Sequence, residues 1–422
     1  MDLLADLERR GLVHDTTDRA ALAARIAEGP LTLYHGVDPT APSLHHGNLI
    51  GLLMLRRFQD AGHRPIALAG GATGMIGDPG GRSEERNLLD LDTLATNVAA
   101  IKAQISRILG SEGAWTLVDN HTWTADLRLL DFLRDVGKHA TVNQMMARDS
   151  VKVRMAGEHG ISFTEFSYML LQANDYAWLH QHEGCEMQIG GSDQWGNILS
   201  GVDLIRRLRG EAVHALCWPL LTATDGSKIG KTTGARVWLD PAQTSPYAFH
   251  QHFMQTDDAD LPRMLAQLTL LPMDDVDALV AAHSEAPAQR VGQKALACAV
   301  TELVHGAAAL ATAEQAAAVL FGGDPQEASA EAVAVVASEV PTTALEPGES
   351  LDAGVDLAAV LVRTGLAGSL GDARRQLEQH GISINGAKAE PGQRLDRSDV
   401  VHDRWVLLRK GKKGWAVLDA RA

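Results

Sequence analysis

The stretch that decides the fold is residues 31–69, LTLYHGVDPTAPSLHHGNLIGLLMLRRFQDAGHRPIALA. Residues 31–37 form a short apolar run that ends in a Gly-Val-Asp-Pro turn, which predicts a buried strand. From Asn48 to Gly62 apolar side chains recur at helical spacing and a glycine ends the segment, which predicts a helix. Residues 64–69 form a second apolar run. Strand, helix and strand in this order predict a right-handed parallel unit.

The same pattern recurs further along the chain. A glycine-rich loop over 70–81 follows the second strand, a third strand is predicted near 186–191, and a helix over 197–210 follows it. The residues near 90–160 lie between these two halves and are expected to be largely helical. The fold class is therefore predicted as α/β, with a doubly wound, Rossmann-like parallel sheet and a helical insertion.

Composition changes after about residue 320 suggest further segments. Residues 241–320 have helical periodicity, whereas residues 321–350 are rich in Gly, Pro, Ala, Ser and Glu. After this segment the sequence predicts two short helices and a hairpin that turns at Asn385-Gly386. The predicted domains are 1–225 (Rossmann-like, with the insertion near 90–160), 226–320 (a loop and a helical domain), 321–350 (a linker) and 351–422 (a small α+β domain).

Charge and cysteine content narrow the function classes. The chain has 422 residues and a formal net charge of −15, which argues against general nucleic-acid binding. It has three cysteines without metal-ligand spacing, so we expect a reducing cytoplasm, no disulfide framework and no metal held by the protein. Apolar runs fall short of the roughly 20 residues that a membrane span needs.

The last 72 residues depart from this acidic average. They carry twelve Lys and Arg against nine Asp and Glu, with the excess in Arg404, Arg409, Lys410, Lys412, Lys413 and Arg421. A basic terminal module on an acidic body suggests one dedicated polyanion site.

The turn between the first strand and the first helix is a candidate phosphate site. His45-His-Gly47-Asn48 precedes the helix, where free N–H groups and the helix dipole favour anions, and Thr40 adds a hydroxyl donor nearby. A lone His-x-Gly-Asn is more often an ordinary solvated turn. The flanking Asp-Pro-Thr-Ala-Pro-Ser favours the phosphate site.

A second basic segment, Lys228-Ile-Gly-Lys231-Thr232, could bring two lysines to a polyphosphate. Its spacing differs from that of the phosphate-binding loop of NTPases. Arg82 and Arg86 follow a Gly-Asp-Pro-Gly-Gly stretch and are similar candidates. A solvated basic loop is the alternative for each of these segments.

Polar side chains form a stripe on the helix predicted over 163–181. Tyr168, Gln172 and Asp175 stand at i, i+4 and i+7 and so share one face among apolar neighbours. Burying this stripe is costly unless a small polar ligand satisfies it. A stripe that faces solvent is the alternative.

Acidic residues also follow two predicted strands. Asp78 lies in the loop after the second strand, and Gly191, Asp193 and Gln194 lie after the third. Ligands of open α/β sheets bind at these carboxyl ends, where a carboxylate can hold a ribose diol or an ammonium group. Helix capping is the alternative for the aspartates.

In their order and spacing these motifs resemble those of the bacterial tyrosyl-tRNA synthetases, which belong to class I. The resemblance runs from Leu-Glu-Arg-Arg-Gly-Leu-Val near the start through Tyr-x-Gly-x-Asp-Pro-Thr, Gly-Asp-Pro, Tyr-x-x-x-Gln-x-x-Asp, Gly-Gly-Ser-Asp-Gln-Trp-Gly-Asn and Lys-x-Gly-Lys-Thr. It implies activation of L-tyrosine by ATP, brought with Mg²⁺ as a substrate complex, followed by transfer of tyrosine to tRNA(Tyr). The family's histidine signature usually reads His-x-Gly-His, whereas this chain has Asn48 at the fourth position.

The resemblance also implies roles for individual residues. It assigns the phosphate chemistry to Thr40, His45, Arg82, Arg86, Lys228, Lys231 and Thr232. For tyrosine binding, it assigns the phenol to Tyr34 and Asp175 and the ammonium group to Asp78, Tyr168 and Gln172. Gln194 is a further tyrosine-binding residue by this resemblance. The ATP side comprises Gly36, Asp38, His45, Gly47, Asn48, Gly191, Asp193 and Lys231.

The end of the chain, Leu-Gly-Asp-Ala-Arg-Arg-Gln-Leu followed by Gly-Ile-Ser-Ile-Asn-Gly, is similar to a small RNA-binding module named after a ribosomal small-subunit protein. By this resemblance Arg374, Arg375, Lys410, Lys412 and Lys413 contact tRNA. The family also implies a homodimer and no membrane partner.

Two other functions remain open from the sequence. One is the related enzyme that charges tryptophan, for which Asp175 and Tyr34 have no evident purpose. The other is a non-catalytic RNA-binding protein descended from a synthetase, which has no need to keep Lys228 and Lys231.

Overall fold

The computed structural model describes residues 2–78, 90–110, 113–157, 160–221 and 236–421. They form two compact units, one made of 1–245 and 252–304 and the other of 246–251 and 305–422. Among these residues no helix is both long and apolar enough to cross a membrane.

The first unit is built on a six-stranded sheet. Its strands are β1 (Asp15–Thr16), β2 (Thr32–Val37), β3 (Arg64–Ala69), β4 (Thr116–Asp119), β5 (Cys185–Gly191) and β6 (His214–Trp218). They lie in the order β1-β6-β5-β2-β3-β4, and every pair is parallel except β1 with β6. The doubly wound parallel sheet predicted from the sequence is confirmed.

Helices connect these strands and continue beyond them. The first unit contains α1 (Leu3–Arg9), α2 (Arg19–Glu28), α3 (Leu49–Asp60), α4 (Leu91–Leu109), α5 (His121–Thr124), α6 (Leu129–Asp135), α7 (Val142–Met146), α8 (Asp149–Ala156), α9 (Phe163–Glu183) and α10 (Trp195–Arg209). After the sheet come α11 (Pro246–Met254), α12 (Leu261–Leu268), α13 (Met273–Glu285), α14 (Val291–His305) and α15 (Ala307–Leu320). The insertion is largely helical, as predicted, but it also supplies β4 at the edge of the sheet.

Local chemistry sets the ends of the long helix α9. The Ser162 side chain accepts the Glu165 backbone N–H at its start, and Gly184 ends it in the left-handed conformation at φ 61°. The helix packs on the sheet through Tyr176 and Leu179, which join Tyr34 and Ile66 in one buried cluster. This packing fixes the polar stripe of α9 over the carboxyl ends of the strands.

The second unit contains a five-stranded sheet of order β10-β9-β12-β13-β7. Its elements after α15 are α16 (Ala330–Glu339), β7 (Thr342–Ala344), β8 (Val355–Asp356), α17 (Leu357–Arg363), α18 (Leu370–Glu378), β9 (Ile382–Ile384), β10 (Ala387–Lys388), β11 (Arg394–Leu395), β12 (Trp405–Lys410) and β13 (Gly414–Asp419). Asn385 and Gly386 join β9 to β10 with φ of 45° and 89°, so the predicted hairpin is confirmed.

Both faces of this sheet are covered. Side chains of β12 alternate, so that Val406 and Leu408 pack with α17 and α18, whereas Trp405 and Leu407 pack with α15 and α16. The prediction of a linker over 321–350 is therefore wrong for much of the segment. Its helix α16 buries Ala and Val side chains in the second core, and β7 pairs in parallel with β13.

Candidate active site

The crevice between β2 and β5 is the place where the sheet reverses its winding. The chain leaves β2 toward β3 and β4 on one side, and leaves β5 toward β6 on the other. In open α/β sheets ligands bind at this switch point, outside the carboxyl ends of the strands. Asp38 follows β2 directly, and Gly191 ends β5. The structure thus brings Asp38 and Gly191, two predicted residues from the two halves, to the same edge of the sheet.

Asp175 lies deep beside this crevice with only 3% of its surface exposed. Its Oδ1 accepts the Trp123 indole N–H at 2.8 Å, and its Oδ2 accepts an N–H of Asn120 at 2.9 Å. Burial raises the pKa of Asp175 to about 7, against the lowering effect of these two hydrogen bonds, and the charges of Asp38 and Asp119 raise it further. The predicted stripe on α9 therefore faces the interior at this position.

The phenol of Tyr34 is the second polar group at this end. Tyr34 is 1% exposed, and its hydroxyl has no hydrogen-bond partner among the described residues. Burial, and then the nearby Asp175, raise the pKa of this phenol well above its usual value, so it is neutral. A buried hydroxyl without a partner costs free energy. A ligand that carries its own hydroxyl group could satisfy Tyr34 and Asp175 together.

A chain of hydrogen bonds links Asp175 to the carboxylate after β2. Asn120 donates to Oδ2 of Asp175 and, at 3.1 Å, to Oγ1 of Thr73. Thr73 donates in turn to Oδ1 of Asp38 at 2.9 Å, and Tyr168 donates to Oδ2 of Asp38 at 3.0 Å. The predicted residues Tyr168, Asp175 and Asp38 thus belong to one network.

Three members of this network, Thr73, Asn120 and Trp123, were missed by sequence reasoning. Asn120 is fully buried, and its Oδ1 also accepts the Ala72 backbone N–H at 2.8 Å. It follows β4 directly, so recognition of this strand would have marked Asn120 as a residue at the carboxyl end of the sheet.

A second contact joins the loops after β3 and β5. Gln194 donates through Nε2 to Oδ2 of Asp78 at 2.6 Å, and Asn197 donates to Oε1 of Gln194 at 3.2 Å. Gln172 lies half-buried on α9, on the face that it shares with Tyr168. The contact brings a carboxylate and an amide together in the loops that follow β3 and β5.

Gly191, the last residue of β5, has little room for a side chain. Gly191 is buried and Asp193 is exposed. A Cβ atom on Gly191 would lie 2.7 Å from Oδ1 of Asp193, so a side chain there would displace this carboxylate.

The predicted phosphate turn is built as a capping box. The His45 backbone N–H donates to Oδ1 of Asn48 at 3.0 Å, and Nδ1 of His45 accepts the Gly47 N–H at 3.0 Å. Burial and the neighbouring His46 and Arg236 lower the pKa of His45 to about 4. The ring is thus neutral near pH 7 with its proton on Nε2, and both Nε2–H and the Asn48 amide group can donate.

Among the described residues, the turn leaves several predicted positions accessible. Gly36, Thr40 and Gly47 are exposed, and the Thr40 backbone N–H donates to the Asp38 carbonyl at 2.8 Å. Five predicted residues, Arg82, Arg86, Lys228, Lys231 and Thr232, lie outside the described residues.

The predicted RNA-contact residues lie in the second unit. Arg374 and Arg375 are exposed on α18, and Lys412 and Lys413 are exposed in the turn between β12 and β13. Lys410 donates to the Leu366 carbonyl at 2.8 Å. Asp372 lies 3.8 Å from Arg375. Hydrogen bonds from Gln376 and from the Gly368 N–H lower the pKa of Asp372, and the charges of Lys410 and Arg375 lower it further. The start of α18 and the end of β12 are thus side by side.

Comparisons with known proteins identify the family of the chain. Residues 27–322 match the family described as tRNA synthetases class I (W and Y), and residues 332–418 match the tyrosine–tRNA ligase SYY-like C-terminal domain. The tyrosine–tRNA ligase of Opitutus terrae is 49% identical over 422 residues, which cover 99% of each chain. That of Mycobacterium bovis is 49% identical and covers 98% of each chain.

A solved structure extends the likeness to three dimensions. A C-terminally truncated mitochondrial tyrosyl-tRNA synthetase from Aspergillus nidulans is 32% identical with a TM-score of 0.68, and the match covers 76% of this chain and 94% of that one. With these sequence matches over nearly its whole length, the chain belongs to the tyrosine–tRNA ligases of the class I tRNA synthetases.

Proposed function

We propose that this protein activates L-tyrosine with ATP, releases pyrophosphate, and transfers the tyrosine from the adenylate to the 3′-terminal adenosine of tRNA(Tyr). The family supports the two-step reaction. The described residues of the crevice support tyrosine as the amino acid, and they support the proposed positions of its ammonium and carboxylate groups and of ATP.

The observation that carries the proposal is the pairing of two buried polar groups at the closed end of the site. A tyrosine phenol donates its proton to Asp175 and accepts the hydroxyl of Tyr34, which otherwise has no partner among the described residues. Phenylalanine leaves both groups unsatisfied. Tryptophan offers an N–H donor but no acceptor for Tyr34. The site therefore favours tyrosine over both.

The amino acid's charged end lies toward the mouth in this proposal. Asp78, Tyr168 and Gln172 hold the ammonium group, since Tyr168 gives its proton to Asp38 and keeps oxygen lone pairs for an incoming donor. Gln194, fixed on Asp78, faces the carboxylate. Gly191 and Asp193 hold ribose, and Asp38 together with Gly36 lies on the nucleotide side.

The tyrosine carboxylate attacks the α-phosphorus of ATP, so no side chain need act as a nucleophile. The protein positions both substrates and stabilises charge on the departing pyrophosphate. Neutral His45 and Asn48 donate hydrogen bonds, and we assign the same task to Thr40, Thr232, Arg82, Arg86, Lys228 and Lys231. Mg²⁺ arrives with ATP.

A pyrophosphate exchange assay with each of the twenty amino acids tests the proposed reaction. We expect exchange of labelled pyrophosphate into ATP with tyrosine, and rates lower by about 10⁴–10⁵ with phenylalanine, a magnitude taken from measurements on tyrosyl-tRNA synthetase itself. Exchange that is faster with tryptophan would point to the related enzyme. No exchange with any amino acid would indicate a non-catalytic RNA-binding protein.

The ionisation of Asp175 should appear in the pH dependence of tyrosine use. Its raised pKa, about 7, means that the carboxylate gains a proton and loses its capacity to accept the phenol proton as the pH falls through this value. We expect kcat/KM for tyrosine to fall below about pH 7 in the native protein. In Asp175→Asn the value should be at least about tenfold lower at pH 8 and should lack this step. An unchanged pH profile in Asp175→Asn would contradict the assignment of the phenol site.

The exposed basic residues of the second unit should supply part of the tRNA affinity. Arg374→Ala/Lys412→Ala/Lys413→Ala leaves Lys410 on its carbonyl partner and removes three exposed charges. We expect tyrosine activation to stay unchanged, tRNA binding to weaken, and the salt dependence of log Kd to become less steep by about one for each phosphate that the variant no longer neutralises. Lys294→Ala, at an exposed lysine of α14, is the control. Equal binding by the triple variant and the control would place the tRNA contacts elsewhere.

We further propose that the protein is a homodimer. Large apolar side chains lie exposed on consecutive helices of the first unit, namely Leu129 (70%), Leu130 (77%), Leu133 (46%), Val142 (59%), Met146 (41%), Val153 (68%), Met155 (48%) and Phe163 (77%). Exposed apolar groups in such number are typical of an interface. A second copy of this chain, using the same helices around a two-fold axis, would cover them.

Charge on this apolar surface should separate the subunits. Leu130→Glu/Phe163→Glu is expected to sediment as a monomer in analytical ultracentrifugation, because a buried carboxylate without a partner destabilises an interface. Leu370→Glu, at a 46% exposed leucine of the second unit, should sediment like the native protein. A native protein that is monomeric at micromolar concentration would refute the proposal.

A further inference from the structure

Three aromatic rings form a stack that runs from the surface of the first unit to the proposed phenol site. The indoles of Trp123 and Trp178 lie 4.1 Å apart between ring centroids and 11° from parallel. The imidazole of His182 lies 4.3 Å from Trp178 and 22° from parallel. The inner indole, Trp123, donates its N–H to Asp175.

The helix α9 sets up this arrangement. Asp175, Trp178 and His182 stand at i, i+3 and i+7, so they lie on one face. Nδ1–H of His182 donates to the Trp178 carbonyl at 2.9 Å, which fixes the orientation of the imidazole ring. Trp123 comes from α5, a helix of four residues in which no side chain is buried. An element this short cannot by itself hold an indole in one orientation.

We propose that Trp178 and His182 are positioning residues for tyrosine recognition, because their stack holds the Trp123 indole N–H against the Asp175 carboxylate. Neither of them is part of the binding motifs identified in the sequence. The inference rests on the proposed function, since it concerns how the phenol of the substrate is recognised.

The stack affects recognition through the position of one hydrogen bond. Parallel rings at this separation attract each other beyond the area that they bury. Without Trp178 the Trp123 indole can tilt, and the bond to Oδ1 of Asp175 lengthens. The carboxylate then loses one of the two donors that fix it, and a loosely held acceptor discriminates poorly between a phenol and a phenyl ring. ATP binding and the phosphate chemistry depend on other residues and should not change.

The test is a comparison of Trp178→Leu with Trp178→Phe in tyrosine-dependent pyrophosphate exchange. Leucine keeps apolar volume but removes the ring, whereas phenylalanine keeps a ring that can stack. For Trp178→Leu we expect KM for tyrosine to rise about tenfold and discrimination against phenylalanine to fall by a similar factor, the effect of weakening one hydrogen bond to a charged group. The values of kcat and of KM for ATP should stay within twofold of the native ones. Trp178→Phe should recover most of the affinity for tyrosine.

A second variant keeps the test open if Trp178→Leu does not fold. His182→Ala removes an exposed ring and should raise KM for tyrosine severalfold, whereas Glu183→Ala, at the next residue, should leave it unchanged. An active, folded Trp178→Leu or His182→Ala protein with native KM and native discrimination would overturn the inference and leave the proposed function intact. A native protein that does not activate tyrosine would instead refute the function.

Discussion

The burial of the Asp175 carboxylate is the constraint on which the closed end of the site depends. A charged group that is 3% exposed is unfavourable unless neighbouring donors replace the water it has lost. Two N–H groups do so, from Asn120 and Trp123, and both lie at or just after the end of β4. In the proposed site the segment after the edge strand therefore contributes to recognition, because it supplies the two donors that keep a buried carboxylate available for a phenol.

Asn120 also connects the proposed amino-acid side of the crevice to the proposed nucleotide side. Asn120 uses its second N–H on Thr73, which donates to Asp38, so the orientation of each amide and hydroxyl follows from its neighbour. A side chain on Gly70 would displace Asp38 and Thr73, since its Cβ would lie less than 3.0 Å from Oδ1 of Asp38 and from Oγ1 of Thr73. Close packing of this kind restricts both carboxylates to one geometry.

Sequence reasoning located the elements whose local pattern agrees with their place in the fold. The strands β2 and β3 are short, mainly apolar runs, and α3, α9 and α10 have apolar side chains at helical spacing, so both signals pointed to the observed structure. It missed β4, because Thr-Leu-Val-Asp is too short to show a period, and with it Asn120. It assigned the segment of α16 to a linker because of its composition. The buried positions 332, 333, 336 and 337 recur at helical spacing, and this period was the signal for a helix. The ring stack depends on a contact between α5 and α9, which no local pattern reveals.

The described part of the site is acidic, and this has a consequence for the phosphate chemistry. Asp38, Asp78 and Asp193 surround the crevice, and His45 is uncharged near neutral pH because burial lowers its pKa to about 4. Arg236 is a described cation close enough to affect His45. Carboxylates suit the ammonium group and the ribose, but they repel a triphosphate, whose charge must be compensated for attack at the α-phosphorus. We therefore propose that the carboxylates hold the ammonium group and the ribose, which are the cationic and neutral groups of the substrates. In the same proposal, the arginines and lysines of the two basic segments, with the Mg²⁺ that accompanies ATP, are assigned the compensating charge.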